Sequence, residues 1–200
     1  MTKCRVQRCG RAAAEAASQE ARAQMAVSLP VGRPPAADIS VYDGNGWRQR
    51  ALEEISGSSV VIVASLVYDD PDLHSTLLRR LRGRDAFDCS VFVDRDTYEQ
   101  RTYRYQRARI LELQKHGGSI FLCTGRDYNT EFGARGQRGH FHMKALVIDN
   151  KISYVGSANA TRNSRINGEL VLRLVGSSVV EVVKSVLAYK SHQTTLSTAS

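Results

Sequence analysis

The chain has 200 residues, 42% of them hydrophobic, with a formal net charge of +8 and a pI of about 9.6. That length supports one domain with a sizeable core, and the basic balance favours anionic partners such as nucleic acid or an acidic lipid surface. The longest apolar run, VVIVASLVY at 60–68, is about half of the ~20 residues a bilayer requires, so no transmembrane segment is expected and a buried strand is.

Residues 1–38 are rich in Ala and Arg and close on SLPVGRPPAAD. RAAAEAASQEARAQMA has helix propensity but no apolar stripe to bury, so the segment reads as a loose extension. An organelle transit peptide has a similar composition, and Glu15 and Glu20 count against one. A single domain is expected over 39–192, with a short tail at 193–200. Within it GWRQRALEEIS reads as a helix, 60–68 as a strand, and DPDLHSTLLRRLRG as a helix capped by Asp69 or Asp70. FDCSVFVD then reads as a strand, YEQRTYRYQRARILELQKHG as one long helix, and SIFLCTG as another strand. This alternation predicts an α/β sandwich whose sheet is mixed, mainly parallel and flanked by helices. Cys4, Cys9, Cys89 and Cys123 form no CxxC pair, which argues against a disulfide framework and a zinc site. Cys89 and Cys123 stand in apolar runs, where a thiol behaves as a small hydrophobe.

The stretch HFHMKALVIDNKISYVGSANAT at 140–161 carries the chemistry. Alternate side chains of a strand share a face, so His140, His142 and Lys144 are expected in a row, opposite Phe141, Met143, Ala145 and Val147. Residues 147–151 read as a tight turn and ISYVGSAN as the returning strand, ending in a small-residue loop. GELVLRLVG and SSVVEVVKSVLAYK complete the domain as a strand and an amphipathic helix. Singly, each polar residue here has an ordinary reading as a solvated lysine, a turn residue or a half-exposed histidine. His140 keeps that reading.

Together they suit a phosphodiester, whose negative charge repels nucleophiles. Lys144 beside His142 would neutralise the phosphate oxygens, and Ser157 and Asn159 would donate hydrogen bonds to them. His142, with an ordinary pKa near 6.5, can attack phosphorus as the neutral imidazole and form a phosphohistidine. A carboxylate on the other ring nitrogen would fix its tautomer, and Glu169 is the candidate.

His142-x-Lys144, Asp149 and Gly156-Ser157-x-Asn159 fit the signature HxKxxxxDxxxxxxGSxN at all six positions. In this the chain resembles the phospholipase D superfamily, over about residues 45–190. Its single motif and size are similar to the branch of Nuc-type endonucleases and Zucchini or mitochondrial cardiolipin hydrolases. The Asn167-Gly168-Glu169 step resembles the Asn-x-Glu element that follows the signature in small members. The resemblance implies a phospholipase D-like catalytic domain at 39–192, supports the Glu169 assignment and gives Asp149 a mainly structural role. It also implies a metal-independent phosphodiesterase without a cofactor, acting on nucleic acid or an anionic phospholipid such as cardiolipin. Members with two motifs use a histidine from each, so a single-motif chain is expected to work as a homodimer. The alternative is a catalytically silent phosphate- or RNA-binding module, which would have no need of His142, Lys144 and Asn159. Arg104, with its interleaved tyrosines, and Arg135 and Arg138 in the loop FGARGQRGH are candidate substrate-binding residues. Mitochondrial members carry an anchor not seen here, which favours the cytoplasm over the mitochondrion and leaves the compartment unknown.

Overall fold

Alternating apolar residues on the central strands dictate the layers. The computed structural model describes residues 38–43, 46–83, 85–125, 139–189 and 194–195. The strands are β1 Asp38–Asp43, β2 Val60–Ser65, β3 Asp88–Asp94, β4 Ser119–Cys123, β5 Lys144–Ile148, β6 Ile152–Gly156, β7 Leu170–Val175 and β8 Thr194–Thr195. The α-helices are α1 Gly46–Ser56, α2 Pro71–Arg82, α3 Arg95–Glu99, α4 Arg104–Lys115 and α5 Ser177–Leu187. Among the described residues the eight strands form one sheet in the order β1-β7-β6-β5-β2-β3-β4-β8.

Period-two alternation splits the core into two layers. Val61, Val63, Val91, Val93, Ile120 and Leu122 face α1, α2 and α4, where Ile55, Leu77, Ile110 and Leu113 are fully buried. Ile62, Ala64, Phe92, Phe121 and Val147 face the other way and pack with Val179 and Val186 of α5. Burying each of the larger side chains contributes about 1.5–3 kcal/mol, which makes the α/β/α sandwich the favourable arrangement. Asp70 starts α2 as one of the two expected caps, accepting the N–H groups of Asp72 and Leu73. Burial pushes the free thiols of Cys89 and Cys123 up to about 12. Among the described residues no helix is long and apolar enough to cross a membrane.

Four details differ from the sequence reading. The sheet is mixed as expected, but among the described strands only β2–β3 and β3–β4 are parallel and the other pairings are antiparallel. Helical crossovers force parallel pairing only in the first half; the β5–β6 hairpin and the return to β7 reverse direction each time. The long helix expected from Tyr98 is broken into α3, a 3₁₀ turn at Arg101–Tyr103 and α4. Gln100 takes an extended conformation, and Tyr98 turns into the core at 6% exposure with the Arg107 guanidinium 5.0 Å from its ring centroid. The third difference is β1, an edge strand without a clear apolar alternation that pairs along β7 from Asp38 to Asp43. Thr194–Thr195, at the start of the stretch read as a tail, pair with β4.

Candidate active site

The site is built at the end of a hairpin. Asp149 and Asn150 take φ of 51° and 53°, the left-handed pair of a type I′ turn, which short polar side chains tolerate. Asp149 Oδ1 accepts the N–H groups of Ser59 at 2.8 Å and Val60 at 2.9 Å, and its own N–H donates to Val60 O at 2.8 Å. The motif aspartate therefore ties the hairpin to the entry of β2. At ~3.3 Å per residue it stands about 16 Å along β5 from Lys144. Gly156 has an equally local reason: a Cβ there would fall on the Leu170 carbonyl oxygen, so the glycine lets β6 and β7 close.

At the opposite end of β5, Lys144 pairs in register with Ser65 at the end of β2. Its Nζ lies 2.9 Å from His142 Nδ1 and 3.1 Å from Nε2, and donates to the His142 carbonyl at 3.0 Å. An ammonium has only protons to offer, so its place against the ring favours the neutral imidazole. Burial first, then Lys144 and His140, lower the His142 pKa, against a smaller raising effect of Asp94. Partial burial also lowers Lys144, while Glu169 raises it.

The expected row of three polar side chains does not form as a strand, because β5 begins only at Lys144. The Phe141 N–H is taken by the Asp94 side chain at 2.7 Å instead of a neighbouring strand. His140 turns aside, its Nδ1 3.3 Å from Asp94 Oδ1.

Ser157, Glu169 and Asn159 gather around the following loop. Ser157 donates its hydroxyl proton to Glu169 Oε2 and accepts the Leu170 N–H at 3.1 Å. Asn167 Nδ2 donates to Glu169 Oε1 at 3.5 Å. Glu169 is 8% exposed, and a buried carboxylate needs these donors. The structure thus places Glu169 on Ser157 and Asn167 and not on the ring of His142, and it commits the Ser157 proton to Glu169. Asn159 Oδ1 faces Ser65 Oγ at 3.4 Å, which turns its amide donors the other way. Ser65 also donates to Val67 O at 2.6 Å and accepts the Ala160 N–H at 3.0 Å.

Arg104 lies on α4 with its guanidinium 5.1 Å from the Tyr105 ring centroid, and no described contact joins it to His142. Arg135 and Arg138 fall outside the described residues. Sequence reasoning missed buried Ser65 beneath the loop, Asp94 on the Phe141 amide, and the pairing of Arg48 and Arg165 with Asp70, which was expected only as a helix cap. Arg48 pairs with Asp70 and donates to Thr161 O at 3.0 Å, while Arg165 reaches Asp70 at 3.0 Å and Asp72 at 2.6 Å. These contacts have no local sequence signal: Asp94 reaches Phe141 across 47 residues, and Arg48 to Thr161, Ser65 to Ala160 and Asp70 to Arg165 each span more than 90. Asp94, Asp96 and His140 bring three ligand atoms within 4.8 Å of one another. Both Asp94 oxygens already accept an N–H, from Thr97 and Phe141, which suits an anchor better than a metal ligand.

Similarities to known proteins agree with this arrangement. The sequence model of the family described as "Cardiolipin synthase, PLD-like domain" matches residues 52–189. No curated protein matches the chain. Among solved structures, the phospholipase D family member Nuc from Salmonella typhimurium aligns with a TM-score of 0.62 at 16% identity, covering 79% of this chain and 98% of that one. NucT from Helicobacter pylori aligns with a TM-score of 0.65 at 18% identity, over 80% and 99% of the two chains. The phosphatidylserine synthase of Haemophilus influenzae Rd KW20 aligns at 0.58 with 13% identity, over 83% of this chain and 41% of that one. With the fold shared and the family sequence matched over most of the domain, the chain belongs to the PLD-like domain family of the phospholipase D superfamily.

Proposed function

We propose that the protein is a metal-independent phosphodiesterase of the phospholipase D type, with His142 as nucleophile. The observation that carries this reading is Lys144 Nζ held 2.9 Å from His142 Nδ1, in a setting that keeps the imidazole neutral. In the first step a ring nitrogen of His142 attacks phosphorus, the P–O bond to the leaving group breaks, and a phosphohistidine forms. In the second, water attacks phosphorus, the P–N bond breaks, and the phosphomonoester is released. Lys144 and the Asn159 amide offset the charge that develops on the phosphoryl oxygens, which is the work a metal ion does in other phosphodiesterases.

The departing alkoxide needs a proton, and one imidazole cannot attack as a base and donate as an acid in the same step. A homodimer with isologous contact supplies a second imidazole, His142 of the partner subunit. The basic charge of the chain suits either substrate class, nucleic acid or an anionic phospholipid such as cardiolipin.

The test sets the purified full chain against labelled single-stranded DNA, RNA and cardiolipin vesicles in excess chelator. Turnover of one of them that vanishes in His142→Asn supports the reading. Strict dependence on added magnesium, or binding without turnover, contradicts it; the second outcome favours a silent binding module. Mixing equal amounts of wild-type and His142→Asn chains, with exchange verified by tags, tests the shared site. Random pairing leaves about half the activity, whereas independent sites leave it unchanged.

A further inference from the structure

The segment carrying His142 is not a strand, so something other than a sheet ladder must hold it. Asp94, at the end of β3, is 1% exposed. Its Oδ2 accepts the Phe141 N–H at 2.7 Å, and its Oδ1 accepts the Thr97 N–H at 2.9 Å while standing 3.3 Å from His140 Nδ1. Hydrogen bonds to a carboxylate are roughly twice as strong as neutral ones. The Phe141 ring is itself buried, at 1% exposure, and meets the Tyr189 ring edge-on with centroids 5.0 Å apart. On the other side Gly125 donates its N–H to Gly139 O at 2.6 Å. A Cβ on Gly125 would fall on that carbonyl, so the exit of β4 presses directly against residue 139. The backbone up to His142 is thus clamped between a buried charge and a glycine contact.

We propose that Asp94 is a positioning residue for His142, its buried carboxylate holding the Phe141 amide and thereby fixing where the imidazole stands. Asp94 does not touch the reacting atoms. It acts through the one peptide link between Phe141 and His142. The same carboxylate also raises the His142 pKa, opposing burial, Lys144 and His140. Asp96, exposed and 3.9 Å from His140, has no comparable hold on the backbone.

This inference rests on His142 being the nucleophile, and the test separates the two. Histidine-labelled protein is titrated by NMR, and turnover of bis(4-nitrophenyl) phosphate is measured in parallel for wild type, Asp94→Asn and Asp96→Asn. In folded Asp94→Asn the His142 titration moves to lower pH and kcat falls about 10–100-fold, since displacing a reacting group by ~1 Å costs up to about 100-fold. KM stays near the wild-type value, and Asp96→Asn changes none of these. An unchanged kcat in folded Asp94→Asn overturns the proposal whatever the titration does. If wild type turns over no phosphodiester, the nucleophile reading fails by itself, and an unchanged His142 titration in Asp94→Asn then overturns the anchor. If Asp94→Asn does not fold, amide exchange of the wild-type protein decides. A protected Phe141 amide supports the anchor, and exchange as fast as an exposed loop overturns it.

Discussion

Two clusters of charge flank the loop at 157–169, and they are built on opposite principles. In the Arg48–Asp70–Arg165–Asp72 cluster every cation meets a carboxylate, and Asp70 is 1% exposed. Burial and the neighbouring Arg165 bring the Arg48 pKa down to about 10, the mark of charge held for structure. Around His142 the cation is left open. Lys144 touches the imidazole and a carbonyl, and among the described residues no carboxylate lies within ion-pair distance of it. A closed cluster uses its charges to fix the chain; an open one leaves a positive charge without a carboxylate partner, as the proposed binding of a substrate anion requires.

The largest expected separation between the two follows from removing one charge in each. Lys144→Met should lower turnover of a phosphodiester by about 100–1000-fold, as loss of one transition-state donor does, while the unfolding free energy read by urea denaturation changes by less than about 1 kcal/mol. Asp70→Ala should do the reverse. It strips the cap from α2 and leaves Arg48 buried without its partner, so stability falls by about 3–5 kcal/mol, read by urea denaturation. The folded fraction of Asp70→Ala should keep more activity than Lys144→Met. Equal effects of both variants on both quantities would erase the distinction.

The pH profile sharpens the comparison. In the proposed mechanism His142 must be neutral to attack, so kcat/KM should fall as pH drops through its pKa. Burial, Lys144 and His140 set that pKa below the ordinary 6.5, and the acid limb should therefore lie below pH 6.5. Removing the Lys144 charge removes one of the lowering influences, so the limb of Lys144→Met should move upward. A limb that stays in place would mean that Lys144 does not bear on His142 in solution.

Much of this was legible in the sequence, and the reasons are local. Strands β2 to β7 have clear apolar runs or alternations, and the spacing of His142, Lys144, Asp149, Gly156, Ser157 and Asn159 marks the motif. What was not legible depends on distant partners. Period-two alternation extended the strand back to His140, but the buried carboxylate of Asp94 captures the Phe141 amide and ends the ladder at Lys144. Glu169 is expected on the imidazole because a carboxylate there would fix its tautomer and the Asn-x-Glu resemblance supports it. The fold instead delivers it to Ser157. The strand–helix alternation of the first half predicts parallel pairing, which the hairpins of the second half do not share.

The smallest expected effect concerns Arg104, stacked on Tyr105 at the exposed start of α4. If nucleic acid is the substrate and Arg104 meets a phosphate, Arg104→Gln should leave kcat unchanged and reduce the salt dependence of binding by about one counterion. A slope equal to wild type would leave this arginine as a solvated helix residue.

The central claim is that His142 forms a covalent bond to phosphorus. Rapid quenching during turnover, under alkaline conditions that preserve phosphohistidine, followed by mass spectrometry of the peptide spanning His142, tests it directly. The account predicts a phosphoryl adduct on His142 that appears with substrate, decays as product forms, and is absent from His142→Asn. An adduct on another residue, or full turnover by His142→Asn, would contradict it.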